Sequence, residues 1–408
     1  MSEQRFTALM KGLLCGVLIS AGSLSNAGEM IANRVAPPPF HQGQEALLVS
    51  ALQKIGNSQL DAALLELQQL VSLNPTFRLA QLIYADLLLA KSRPITDFGG
   101  ISSAPSEQIQ AWRDEARARL MHYMAPPPKD RIPASLVKLS REQKHAIVVD
   151  MTESRLYLFE NGDRVPRLLL DFYATIGKNG GGKHSEGDQK TPVGVYFVTD
   201  FIDPTELPDL YGDGAFPIDY PNSWDVRHGR TGYGIWLHGT PSTTFSRPPR
   251  DSDGCVILSN RDLNALARFI EPGRTPVILT EKINWLAPAE WARRRGQMEF
   301  IVEAWRRDWE SRNADRYIGH YSPDYSGLGM DYSRWVEHKR RVNPTKRFIR
   351  VGISGESMFL YPGEESLLVV TFKQDYTSDN YNRRFVKRQY WRLERDGKWR
   401  IVYEGSVS

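Results

Sequence analysis

The apolar residues of this 408-residue chain change their period near His145, and that change dictates a chain of unlike parts. Before it, the spacing is helical. Leu47, Leu48, Leu52 and Ile55 form one stripe, Leu60, Ala63, Leu64, Leu67 and Leu70 a second, and Leu79, Leu82, Ile83 and Leu87 a third. Gly56-Asn57 and Asn74-Pro75 punctuate them. A further helix is predicted from Ser106, as its N-cap, to Tyr123, with Pro126-Pro127-Pro128 closing the region. After His145 the spacing is that of strands: Ala146 to Asp150, Arg155 to Glu160 and, beyond an Asn161-Gly162-Asp163 turn, Leu168 to Ile176. Val195 to Val198 and Thr275 to Thr280 follow the same pattern, and Asp262 to Ile270 predicts a helix. Past Trp285 the pattern changes again. An amphipathic helix, Met298 to Arg312, precedes strands at Ile349–Ile353, Ser357–Tyr361, Ser366–Tyr376, Phe385–Leu393 and Lys398–Tyr403. The fold class expected is multidomain α+β, with a helical N-terminal segment, a mostly β middle and an α+β end.

The N-terminus constrains the compartment. Arg5 and Lys11 precede the apolar run Leu13 to Ile19, and Ser25-Asn26-Ala27 supplies small residues for cleavage. This reads as a secretory signal peptide, too short for a permanent span, and predicts a periplasmic protein. Leu14 before Cys15 argues against lipid attachment there. Of the two cysteines, Cys15 lies in the predicted leader, so the mature chain keeps Cys255 as an unpaired thiol. An exported protein favours paired cysteines, so a solitary one calls for a chemical reason. Composition adds little: 52 basic against 48 acidic side chains give +4, which points to no nucleic acid or other polyelectrolyte partner.

That reason lies between Gly232 and Asn260. His238-Gly239-Thr240 ends an apolar run, and Ser252-Asp253-Gly254-Cys255 opens the next. An imidazole beside a thiol can take its proton and yield a thiolate–imidazolium pair, the attacking species. No carboxylate adjoins His238 in sequence, so a backbone carbonyl such as that of Gly239 would hold the ring. Gly254 would let the turn approach a substrate carbonyl, with the amides around Asp253 to Cys255 as an oxyanion hole and Ser252 orienting the turn or the substrate. Trp236, on the same run, is a further candidate for substrate contact. The glycine-rich Gly177 to Lys183 lacks phosphate-loop spacing and opens no helix, and no paired-Cys or His-Glu-x-x-His spacing occurs, so neither a nucleotide cofactor nor a metal is expected. Asp200 to Arg230 is a long Pro-, Gly- and Asp-rich loop of the kind that covers substrate sites.

His238-Gly239-Thr240 followed by Ser252-x-Gly254-Cys255, with Thr191-Pro192-x-Gly194 upstream, resembles the signature of bacterial L,D-transpeptidases. The resemblance implies a mostly β catalytic domain acting on peptidoglycan stem peptides. Cys255 would be the nucleophile, His238 the base and Gly239 its orienting carbonyl, with the bond between diaminopimelate and D-Ala as target. The family commonly has His where Asp253 stands here, and often Arg in place of Ile257. The early helices resemble a single tetratricopeptide-type hairpin, and the last quarter a nuclear transport factor 2-like cone. In that cone Trp305, Tyr321, Tyr325, Phe372 and Trp391 would fill a core rather than line a pocket. The combination resembles the L,D-carboxypeptidases that shape helical bacteria. The boundaries that follow are a signal peptide at 1–27, a linker and helical region at 28–130, the catalytic domain at 144–281 and the cone at 295–408. The partners implied are stem peptides and a wall-attached lipoprotein or other cell-wall protein. A sortase-like transpeptidase and a non-catalytic wall-binding scaffold are the alternatives.

Overall fold

The structure, a computed structural model, describes residues 43–95, 98–100, 105–128, 130–162, 165–364 and 366–407. The predicted leader, Cys15 and the Pro37–Pro39 linker lie outside the described residues. The helical stripes fold as α1 (Gln44–Gly56), α2 (Leu60–Leu73), α3 (Arg78–Ala90) and α4 (Ser106–Met124). Their apolar faces interlock into one core around Leu48, Leu67, Leu70, Ile83 and Leu120. An amphipathic helix is held by such burial more than by its own propensity. Pro105, not Ser106, occupies the N-cap of α4; its backbone is extended and Ser106 is already helical.

Two short strands come next, β1 (Ile132–Pro133) and β2 (Leu136–Lys138). The central domain then runs through β3 (His145–Asp150), β4 (Arg155–Glu160), β5 (Arg167–Tyr173), β6 (Ile176–Gly177), β7 (Gly194–Phe197), β8 (Ala215–Pro217), α5 (Ser223–Arg227), β9 (Trp236–His238), β10 (Arg250–Ser252), β11 (Val256–Ile257), α6 (Asn260–Ala267) and β12 (Pro276–Thr280). Its main sheet has the order β5-β4-β3-β12-β7, and a smaller one the order β11-β9-β8. Both sheets contribute to one core, in which Ile147, Leu158 and Leu279 from the first meet Phe216, Leu237 and Val256 from the second. The segment from Asp200 to Arg230 is less irregular than its composition predicts. It holds 3-10 turns at Pro204–Glu206 and Asp209–Tyr211, strand β8, and α5, which Asn222 and Asp225 start with a capping box.

The C-terminal part comprises β13 (Trp285–Leu286), α7 (Pro288–Glu310), α8 (Ala314–Ile318), β14 (Ser326–Gly327), β15 (Met330–Asp331), α9 (Tyr332–Val342) and the long strands β16 (Ile349–Leu360), β17 (Leu367–Ser378), β18 (Asn382–Leu393) and β19 (Trp399–Val407). Helix α7 starts at Pro288, ahead of the predicted Met298, because proline suits the first helical turn, where its missing N–H is no loss. The two strands predicted at 349–361 are one strand carrying a bulge between Ser354 and Ser357. Trp305, Tyr321, Tyr325, Phe372 and Trp391 are all buried in its core, as expected. The sheet order is β19-β18-β17-β16-β2, so its last strand comes from before the central domain, and β1 pairs with β13. The domains are therefore laced together. A shared core joins Tyr157, Phe159 and Val195 of the central domain to Phe359, Val369 and Tyr390 of the C-terminal one.

Candidate active site

Strands β9 and β11 run parallel, with Leu237 opposite Val256 and His238 opposite Ile257. Leu237 and Val256 both face the core. Side chains alternate along a strand, so Trp236 and His238 point to the other face. Continuing the register by one residue sets Cys255 opposite Trp236, on the face that His238 shares. Residues distant in sequence thereby occupy one patch.

His238 is buried, and its Nδ1 lies 2.7 Å from the Gly239 carbonyl. A carbonyl can only accept, so Nδ1 carries the proton and Nε2 the free lone pair. The Gly239 amide donates to the Tyr211 carbonyl at 3.0 Å, and the Tyr211 ring packs edge-on to the imidazole with centroids 5.0 Å apart. A Cβ at 239 would lie 2.0 Å from Asn260 Oδ1, which leaves room for glycine alone. That same oxygen accepts the Thr240 amide at 3.0 Å, while Asn260 Nδ2 donates to the Thr240 carbonyl at 2.9 Å. Ile257, across from His238, is buried and adds no polar group. Burial lowers the imidazole pKa to about 4; the bond to Gly239 opposes this and the Arg247 charge reinforces it.

Cys255 is half-buried, and its thiol donates to the Gly234 carbonyl at 3.4 Å. Burial pushes the thiol up to about 11, with the Trp236 amide, Lys183 and Arg247 opposing and Asp253 reinforcing. A thiolate–imidazolium pair would thus form only when the proton passes from sulfur to His238. Both groups are desolvated, both are neutral, and the proton stays on sulfur.

The turn before Cys255 is braced from within. Ser252 is buried; its Oγ donates to the Cys255 carbonyl at 2.6 Å and accepts the Gly254 amide at 3.1 Å. The Gly254 amide, one of those around Asp253 to Cys255 considered for an oxyanion hole, is therefore already engaged. Gly254 has φ +129°, and a Cβ there would lie 2.7 Å from the Lys190 carbonyl. Asp253 is exposed and accepts from Lys178 Nζ at 3.1 Å and Gln189 Nε2 at 3.0 Å. Trp236 is half-buried, its ring 4.8 Å from that of Tyr211. Thr191 supports this floor, its Oγ1 accepting the Gly177 amide at 2.9 Å. The glycine-rich run and the segment before Pro192 thus pack together against the turn from Ser252 to Gly254. Tyr211, Asn260 and Arg247 were not singled out from the sequence. Asn260 at the start of α6 had a trace there, following the N-cap Ser259; Tyr211 had none, because its role exists only where two loops meet. Among the described residues, no group of three or more His, Cys, Asp or Glu is placed to hold a metal ion.

Comparison with known proteins agrees with this architecture. The L,D-transpeptidase catalytic domain profile matches residues 144–279, and that of the Cds6 C-terminal NTF2-like domain matches 297–405. The structure of Bd1075 from Bdellovibrio bacteriovorus is similar at 30% identity and a TM-score of 0.60, covering 68% of this chain and 98% of that one. The helical cell shape determining protein Pgp2 from Campylobacter jejuni shares the fold at 24% identity and a TM-score of 0.57, covering 67% of this chain and 95% of that one. No curated protein matches. The described helices are not long and apolar enough to cross a membrane. The chain belongs to the L,D-transpeptidase catalytic-domain family, with an NTF2-like domain at its C-terminal end.

Proposed function

We propose that this protein is a periplasmic peptidoglycan-trimming or cross-linking enzyme that works through a Cys255 thioester. The observation that carries the reading is the shared face of β9 and β11, with His238 Nδ1 pinned to Gly239 so that Nε2 is left as the acceptor. In the proposed reaction, Nε2 takes the Cys255 proton as sulfur attacks the carbonyl that links the L-centre of diaminopimelate to D-Ala. The tetrahedral oxyanion collapses, His238 returns the proton to the departing D-Ala amine, and a thioester remains. Water then gives the trimmed stem, as an L,D-carboxypeptidase; a second diaminopimelate amine gives a cross-link, as an L,D-transpeptidase; a protein lysine would attach a lipoprotein. The Asp253 and Cys255 amides are the donors proposed for the oxyanion, and Trp236 for the substrate wall. Similarity to a protein described as determining helical cell shape supports a role in wall organisation.

Muropeptide analysis tests this. Incubated with tetrapeptide muropeptides, the protein should release D-Ala and yield either tripeptides or joined stems, and Cys255→Ala should yield neither. A wild-type protein that leaves tetrapeptides untouched while Cys255 stays reactive would favour the non-catalytic wall-binding reading.

A further inference from the structure

The loop that joins His238 to Cys255 is gripped by the helical N-terminal region, a part of the chain that lies outside both matched profiles. The Phe245 amide donates to the Thr76 carbonyl at 3.2 Å, and its ring lies 4.5 Å from that of Phe77 between centroids. Ser246 Oγ donates to Glu115 Oε1 at 2.6 Å. Glu115 is buried and pairs with Arg119 at 2.8 Å; Arg119 in turn reaches Glu45 at 2.9 Å and lies 3.8 Å over the Tyr173 ring. The next loop residue, Arg247, is fixed from the opposite side. Its carbonyl accepts from Tyr173 Oη at 3.0 Å and Thr175 Oγ1 at 2.9 Å, and its Nε donates to Asp251 Oδ2 at 2.8 Å. Three consecutive residues are thus clamped, two by the helices and one by the central sheet.

This clamp is more specific than docking requires. A buried carboxylate costs desolvation that an apolar contact would avoid, and here it is spent on one loop hydroxyl and one guanidinium. The groups whose charge acts on the thiol are Asp253, Lys183 and Arg247, and Arg247 acts on the imidazole as well. Of these, Arg247 is the one held between the two domains.

We propose that the helical region is a working part of the active site, in which Phe77 and Glu115 hold Phe245 and Ser246 and so fix the Arg247-bearing loop that joins His238 to Cys255. Phe77, Glu115 and Ser246 are then positioning residues that touch no substrate. The inference rests on the reading of Cys255 as nucleophile, but its test needs no peptidoglycan. The rate of Cys255 alkylation by iodoacetamide is followed against pH in the full-length protein. Ser246→Ala removes one oxygen and leaves Glu115 paired with Arg119. It should move the profile to higher pH and slow alkylation at neutral pH, tenfold for each pKa unit of the shift. Ser246→Thr should restore the wild-type profile, and Phe77→Leu, which keeps an apolar side chain at the contact, should shift it less than Phe77→Ala. Arg247→Met should reproduce the shift, and the Ser246→Ala/Arg247→Met double variant should add nothing to it, because both act through one charge. A Ser246→Ala profile that superimposes on wild type, or effects that multiply in the double variant, would overturn the proposal. Normal alkylation behaviour in a protein that turns over no muropeptide would instead defeat the proposed reaction and leave the clamp intact.

Discussion

At the scale of single residues, the pair at the centre is set by desolvation. A thiol near 11 and an imidazole near 4 leave both groups neutral across the physiological range. In that state the imidazole can accept a proton and the thiol still has one to give, so the protonation state that the proposed reaction needs is also the populated one. The expected pH dependence of kcat/KM is a broad plateau, with an acid limb near pH 4 as His238 gains its proton and a basic limb near pH 11. An acid limb near the ordinary imidazole value of about 6.5 would show that His238 is solvated in solution. Residues His238, Gly239 and Cys255 were legible in the sequence because each is chemically unusual where it stands. Asn260 and Tyr211 were not, because an ordinary amide and phenol acquire a role only from what folds against them.

At the scale of elements, the turn from Ser252 to Cys255 depends on a backbone conformation that side chains resist. Gly254 sits at φ +129° with the Lys190 carbonyl 2.7 Å from where a Cβ would be. Gly254→Ala should destabilise the protein by about 1–3 kcal/mol through strain at this turn. It should also cost more than 100-fold in turnover, since a displacement of about 1 Å at a nucleophile has effects of that order. Denaturant midpoints and muropeptide kinetics, measured on the same variant, separate the two losses. Secondary structure at this scale was mostly readable from period. The exceptions are instructive: α7 begins at Pro288 where the apolar stripe is thin, and β16 continues through a bulge that polar residues conceal.

At the scale of the molecule, two interfaces make one body of three regions. The helical region meets the central domain through buried charge. Arg155 reaches Glu45 at 2.8 Å and Asp171 at 2.5 Å, and His122 Nε2 lies 2.5 Å from the same Asp171 oxygen. Burial alone would raise the Asp171 carboxyl; the Arg155 charge and the His122 hydrogen bond outweigh it and hold it well below the usual carboxylate range. Its folded form binds a proton less readily than the unfolded chain does. Its contribution is therefore complete above the ordinary pKa of about 4 and is lost as pH falls below it. Acid should release the helical region first, detected as proteolysis within 44–124 below about pH 4. Asp171→Asn should bring on the same release at neutral pH, at a cost of about 3 kcal/mol. The second interface is apolar and interwoven, with β2 in the C-terminal sheet and Trp224 stacked on Tyr390 at 5.1 Å. Calorimetry should accordingly show the central and C-terminal domains melting in one transition; two separated transitions would mean the shared strand contributes little.

The sequence by itself determined most of the helices and strands, that three unlike regions follow one another, and which residue types can do chemistry. Those properties are local: period, turn residues and the rarity of a single thiol. The tertiary structure alone decided that a strand from before the central domain completes the last sheet. It also decided that Ser252 braces a turn, and that helices remote in sequence hold the loop between His238 and Cys255. These depend on pairings over long sequence separations, which leave no periodic trace because the partners need only be complementary once the chain has brought them together.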